Sequence, residues 1–383
     1  MKDKDLQVHT RLVHSGQDRD PFTGGSSVPI YQASTFAQPD PDHPGAYDYS
    51  RSGNPTREAL EKSIAELEGG TSGFAFASGM AAISAAFFML KSGDHLIAPE
   101  DVYGGTYRIL STLLKQWGLQ TTFVDMTHPE RIAQVVLPNT KAIFVETPSN
   151  PLLKITDLDT VAAIAREHGL LTIIDNTFPT PFLQRPIEHG FDIVVHSATK
   201  FIGGHSDVIA GLAVTRNEEL GRRMKAVQNG VGGILGPQDS WIVLRGIRTL
   251  AVRMEAQQRA AQTIAEGLAQ WPQVLKVHYP GLKDHPGRAI NERQSAGPGA
   301  VLSFELEDGV AARRALAGVK LCFPGVSLGG VESILSYPAK MSHAVMLPQE
   351  RHARGISDGL LRLSAGLEDP QDILKDLKQA IGV

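Results

Sequence analysis

The chain has 383 residues, 42% hydrophobic and 20% charged, with 38 glycines and 23 prolines; it is longer than one hydrophobic core usually supports, and its composition excludes a disordered or fibrous protein. Lys and Arg number 37 against 41 Asp and Glu, and neither sign gathers into a run, which argues against the phosphate-neutralising surface of a nucleic-acid binder. Cys322 is the only cysteine, which rules out an intrachain disulfide framework and a cysteine-built zinc cluster, so no metal is expected and a reducing compartment fits.

Residues Met1 to Arg11 mix charges without the apolar core of a signal peptide, and no later stretch reaches the roughly 18 apolar residues of a membrane span. The expectation is a cytoplasmic protein with no membrane association. From Met1 to about Pro55 the chain is irregular, rich in Pro, Gly, Asp and Ser, and reads as an arm (residues 1–55). Thr56 to Glu68 follows as a helix, with Leu60, Ile64 and Leu67 on one face and Gly69-Gly70 as the stop.

Short apolar runs then alternate with helical patterns. The runs are Phe74 to Ala77, His95 to Ala98, Ala142 to Glu146, Leu171 to Asp175 and Ile193 to His196. The helices between them are Ala81 to Lys91, Thr106 to Trp117 and Val161 to His168. This is the pattern of βαβ units around a buried parallel sheet, an α/β domain over residues 56–240. Near Pro237 the pattern changes. One long helix from Trp241 to about Trp271, strands at Val274 to Tyr279 and Ala300 to Leu306, and a last helix from Asp369 to Ile381 predict a smaller α/β domain over 241–383.

Ligands of open α/β sheets sit beyond the carboxyl ends of the strands, so the residues just after each apolar run are the candidates for chemistry. Ser78-Gly79-Met80 opens a helix, where small residues and free N–H groups can seat an anion; by itself the tripeptide reads as a plain turn. Asp175, in Asp175-Asn176-Thr177, can face a cationic ring nitrogen or simply cap a turn. Ser197-Ala198-Thr199-Lys200 offers two hydroxyls for a phosphate and an amine that becomes nucleophilic toward aldehydes when desolvated, although most lysines are solvated surface residues. Glu146 begins a Pro-bounded loop in which Asn150 can bond a ring hydroxyl, and Tyr103, before Gly104-Gly105, can lie on a flat cofactor. What favours chemistry is the ordered set, each member after its own strand.

These residues resemble the pyridoxal 5′-phosphate (PLP)-dependent enzymes of cysteine and methionine metabolism, among them the cystathionine synthases and lyases. The resemblance covers nearly the whole chain and is strongest at Tyr49 to Arg57, Ser78 to Ala82, Glu146 to Pro151, His196 to Lys200, Ser327 to Gly330 and Leu361 to Ser364. It implies the aspartate-aminotransferase-like fold (fold type I), usually a homotetramer of tight dimers. It also implies that Lys200 carries PLP as a Schiff base, that Asp175 pairs with the pyridine nitrogen, and that Tyr103 stacks on the ring and carries protons. Ser78, Gly79, Met80, Ser197 and Thr199 would hold the phosphate side, with Asn150 and Thr177 at the ring. Tyr49 and Arg51 would reach the phosphate of a neighbouring subunit, and Arg362 and Ser327 would hold the substrate carboxylate.

Val326 stands where many γ-synthases and γ-lyases carry an acidic residue, whereas Asp48 matches another acidic position of those enzymes. Gly105 stands where methionine γ-lyases typically have cysteine. Gly45 to Phe87 and Val326 to Gly366 look most like the cystathionine β-lyases of Bacillus-type bacteria, which implies a carbon-sulfur lyase acting on a sulfur amino acid. Cystathionine γ-lyase or γ-synthase activity is the alternative. A catalytically silent PLP-binding regulator is disfavoured because Lys200, Asp175, Tyr103 and Arg362 are all present.

Overall fold

Along the central strands, successive apolar side chains point to opposite faces, and each face has its own core. In the strand Thr140–Glu146, Ala142 and Phe144 join one buried cluster while Ile143 and Val145 join the other. The computed structural model describes residues 6–18, 20–344 and 346–383; residues 1–5 and 19 of the expected arm lie outside the described residues. In chain order the large sheet contains β1 (Ser72–Phe76), β2 (His95–Pro99), β3 (Gln120–Val124), β4 (Thr140–Glu146), β5 (Leu171–Asp175), β6 (Ile193–Ser197) and β7 (Gly211–Thr215).

Their spatial order is β1-β7-β6-β5-β4-β2-β3, with β7 antiparallel to both neighbours and every other pairing parallel. A sheet buried on both faces needs helices on both. Helices Pro55–Glu68, Leu158–His168 and Pro237–Ile247 cover one face, and Gly79–Phe87, Gly104–Ser111 and Glu218–Val231 cover the other. A second sheet contains β8 (Lys276–His278), β9 (Val301–Glu305), β10 (Phe323–Pro324), β11 (Ile334–Ser336) and β12 (Leu360–Ser364), in the order β10-β11-β12-β9-β8. Helices Gly309–Gly318 and Pro370–Ile381 pack on it around a third core.

Several expected elements are reshaped for local reasons. Ser78 Oγ accepts the Ala81 N–H at 3.1 Å, so the helix expected from Ala81 starts at Gly79. The helix expected over Thr106 to Trp117 breaks at Thr112, whose hydroxyl bonds back to the Arg108 carbonyl at 2.6 Å. The long helix expected from Trp241 is two, Pro237–Ile247 and Leu250–Leu268. At the break, the Gly246 carbonyl accepts Thr249 Oγ1 at 3.2 Å and Arg253 Nη2 at 2.8 Å, which replaces the lost helical bonds. Helix Leu250–Leu268 serves both layers: Leu250, Ala251 and Met254 lie in the large-sheet core, Ala260 to Leu268 in the small-sheet core. The N-terminal segment is not wholly irregular, since Val8–His14 is helical and buries Leu12 against the large core.

Candidate active site

Because β4, β5 and β6 are parallel, their carboxyl ends meet at one edge, where Glu146 is in register with Asp175 and Asp175 with Val195. β1 and β7 bring Ser78 and the helix start Gly79–Phe87 to the same edge. A Cβ on Gly79 would lie 2.7 Å from Ser197 Cβ and 2.9 Å from Ser197 Oγ, so only glycine lets this helix start approach Ser197. The first-turn N–H groups of Gly79 and Met80 have no intrahelical acceptor, which suits an anion. The Thr177 Oγ1 accepts the Ser197 N–H at 2.8 Å. The Thr199 hydroxyl is tied to Ala210, donating to its carbonyl at 3.2 Å and accepting its N–H at 3.0 Å.

Lys200 follows this turn, largely buried, and its Nζ donates to Ser327 Oγ at 2.7 Å. Burial first, and the Arg362 guanidinium second, push its amine down to about 8, so a usable fraction is neutral near physiological pH. Four residues on, Gly204 is required by packing. Gly204 sits at φ +75°, and a Cβ there would collide with the Arg253 guanidinium. That buried arginine donates to the Phe201 carbonyl at 2.6 Å and so anchors the turn after Lys200.

Asp175 Oδ1 accepts the Thr177 N–H at 3.0 Å, and among the described residues the carboxylate forms no ion pair. Burial raises its pKa, opposed first by the hydrogen bonds from Thr177 and then by the nearby His196. Glu146, also buried, accepts the Tyr103 N–H at 2.9 Å; burial, then the Asp175 charge, raise its pKa well above the carboxylate range. Tyr103 precedes helix Gly104–Ser111 and leaves 40% of its surface open.

From β12, the buried Arg362 donates through Nη1 to Asn150 Oδ1 at 2.8 Å and through Nη2 to the Ser327 carbonyl at 2.7 Å and Ser336 Oγ at 3.2 Å. Its Nε has no partner among the described residues, and burial pushes the group down to about 10. Ser327 sits at φ +98°, a strained conformation for a residue with a side chain. Beside Arg362 lies His343, fully buried, with Nδ1 2.9 Å from Ser342 Oγ and a pKa pushed down to about 4 by burial and by Arg362.

Four expected residues stand apart from this cluster. Val326 is 64% exposed beside Ser327. Asp48 Oδ1 accepts the Tyr49 N–H at 2.6 Å; Arg51 Nη1 donates to Asn229 Oδ1 at 2.9 Å, and its guanidinium lies 5.5 Å from the Tyr49 ring centre. Within one chain, no hydrogen bond, ion pair or ring contact among the described residues joins Asp48, Tyr49 or Arg51 to Lys200. Sequence reasoning gave no site role to Glu146, although it marked the strand end, or to Ser336, which lies inside a quoted motif. His343 carried no signal, because its place beside Arg362 arises from a tertiary contact.

Pyridoxal 5′-phosphate suits the charge pattern of this edge: an unpaired buried carboxylate for its ring nitrogen, a poised amine for its aldehyde, and a glycine-cleared helix start for its phosphate. The class so defined is the PLP-dependent enzymes of fold type I. The family profile described as Cys/Met metabolism PLP-dependent enzyme matches residues 9–382. The chain is 56% identical to cystathionine beta-lyase MetC of Bacillus subtilis (strain 168) over 374 residues, 98% of this chain and 96% of the relative. It is 50% identical to the cystathionine gamma-lyase of the same organism, over 98% of this chain and 99% of the relative. Among solved structures, cystathionine gamma-lyase from Lactobacillus plantarum complexed with L-serine superposes with a TM-score of 0.96 at 45% identity, covering 98% of this chain and 99% of that one. The chain belongs to the PLP-dependent enzymes of cysteine and methionine metabolism.

Proposed function

We propose that this chain is a cystathionine β-lyase, which converts cystathionine and water to homocysteine, pyruvate and ammonia. The observation that carries the chemistry is the Lys200 amine, buried, lowered to about 8 and held beside Ser327 with Arg362 behind it. Bound PLP supplies an electron-withdrawing ring that takes up the charge left when the α-proton departs. Lys200 removes that proton, and Asp175 holds positive charge at the ring nitrogen. Asn150, Thr177, Ser78, Gly79, Met80, Ser197 and Thr199 bind and orient the cofactor. Arg362 and Ser327 grip the α-carboxylate, aligning the Cα–H bond with the base. Tyr103 covers the ring and carries a proton toward the departing sulfur.

The exposed pair Tyr49 and Arg51 serves a neighbouring subunit, the assembly is a homotetramer of tight dimers, and the enzyme works in the cytoplasm. Two contacts from the buried Arg57 support the first part: its Nη1 donates to the Ser50 carbonyl at 2.7 Å and its Nη2 to the Arg51 carbonyl at 3.2 Å, so the arm is presented outward from a fixed mount. No helix among the described residues is long and apolar enough to cross a membrane.

The test is product identity. Purified enzyme given cystathionine should release pyruvate and homocysteine. Release of 2-oxobutyrate and cysteine instead would refute β-elimination and establish the γ-lyase reading, which Asp48 favours. Condensation of O-acylhomoserine with cysteine would identify a synthase, and no turnover by PLP-loaded protein with any of these would leave a silent regulator.

A further inference from the structure

One buried carboxylate takes no part in this chemistry yet is shared by the two strand ends that do. Glu68, the last residue of helix Pro55–Glu68, has a fully buried side chain, as does its partner His196. Glu68 Oε1 lies 2.6 Å from His196 Nε2 and accepts Asn176 Nδ2 at 2.9 Å. Asn176 directly follows Asp175 at the end of β5, and His196 directly precedes Ser197 at the end of β6. Asn176 is itself fixed, donating to the Gln184 carbonyl at 2.8 Å and accepting Gln184 Nε2 at 3.0 Å. Glu68 Oε2 and His196 Nδ1 have no partner among the described residues.

Stability alone is a poor reason for this arrangement. A buried acid-imidazole pair with polar atoms left over is generally no more stabilising than apolar residues of the same volume. The geometry points to another purpose. We propose that Glu68 is a positioning residue for the cofactor: through Oε1 it sets the spacing between the ends of β5 and β6, and hence between Asp175 and Ser197. PLP is a rigid ring whose nitrogen and phosphate are a fixed distance apart, so its two protein partners must be held to within roughly 0.5 Å. Thr177 ties the same two strands on the cofactor side, bonding Asp175 Oδ1 through its N–H and the Ser197 N–H through its hydroxyl. Besides the backbone bond from the Asn176 N–H to the Val195 carbonyl at 2.9 Å, Glu68 adds a side-chain tie on the opposite side, from a helix that belongs to neither strand. The inference rests on reading Asp175 and Ser197 as cofactor residues.

Reach and charge are separable at this position. Glu68→Asp keeps the charge but is one methylene too short to meet both strands; Glu68→Gln keeps the reach, and its amide oxygen can accept both donors. Apoenzyme of each variant is titrated with PLP, following cofactor absorbance, and the melting temperature is read with and without PLP. Glu68→Asp should weaken PLP binding by roughly tenfold or more and shrink the PLP-induced rise in melting temperature, while Glu68→Gln stays within about threefold of wild type. Wild-type affinity in Glu68→Asp, or equal losses in both variants, would overturn the proposal. If Glu68→Asp does not fold, Asn176→Ala cuts the β5 tie, together with the two Gln184 bonds, and leaves the His196 contact in place; it should weaken PLP about fivefold or more, and unchanged affinity there overturns the proposal equally. Asp175→Asn is the control. If it too binds PLP normally, the site reading has failed; if it alone loses PLP, only the Glu68 tie has.

Discussion

Replacing Arg362 by Gln should change when Lys200 can react, because the arginine is the second cause of the lowered amine pKa after burial. At pH 7 an amine at its ordinary 10.5 is neutral in about one molecule in 3,000, whereas at about 8 the fraction is about one in ten. The environment thus raises the reactive fraction by a few hundredfold, on the order of 3 kcal/mol at 1.36 kcal/mol per pH unit. Removing a neighbouring cation makes the ammonium form easier to keep, so the midpoint in Arg362→Gln should move upward, by on the order of one pH unit at most because burial is the larger cause. The assay is rapid mixing of apoenzyme with PLP from pH 6 to 9.5, reading the rate at which cofactor absorbance changes. Wild type should speed up about tenfold per pH unit below pH 8 and level off above it. A wild-type rate still climbing at pH 9.5, or a variant midpoint that does not rise, would refute this account of Lys200.

Gly79→Ala should weaken PLP by about 10- to 100-fold, measured by titrating apoenzyme, since the added methyl falls 2.7 Å from Ser197 Cβ and overpacking of this kind costs about 1–3 kcal/mol. Lys200→Ala and Arg51→Ala should each be inactive alone, and co-refolding them in equal amounts should restore about one quarter of wild-type pyruvate release if sites are shared between subunits. Asp101 is buried, with its carboxyl raised to about 6, so its proton binds more tightly in the folded state. That contribution to stability is complete below about pH 4 and lost as pH rises through 6. Asp101→Asn should therefore raise the melting temperature at pH 8, by roughly 1–2 kcal/mol of stability, and leave it unchanged at pH 4.

The parallel strands were readable because both their faces are buried: Ala142 to Glu146 and Leu171 to Asp175 show nearly unbroken apolar runs. β3, with the sequence Gln120-Thr121-Thr122-Phe123-Val124, lies at the sheet edge and is only partly buried, so its polar residues hid it. β7 is apolar, but it pairs antiparallel after a loop instead of a helix and broke the expected rhythm. Lys200, Asp175 and Ser197 could be picked out as candidates because strand ends are privileged places in this architecture, and the structure brings them to one edge of the sheet. Glu68 ends a helix 107 positions before Asp175 in the chain, counting from 68 to 175, and nothing local marks it as a partner of Asn176. His343 looks like an ordinary loop histidine until β12 brings Arg362 beside it.

The helix Leu250–Leu268, rooted in both cores, makes the two layers poor candidates for independent motion. Arg253 on that helix grips the backbone just after Lys200, while the helix's far half is embedded in the layer that carries Arg362 and Ser327. A small rotation of that layer would act on this rod as on a crank. The turn bearing Lys200 would be drawn along with it, so displacements of Arg362 and Lys200 would be linked through one helix.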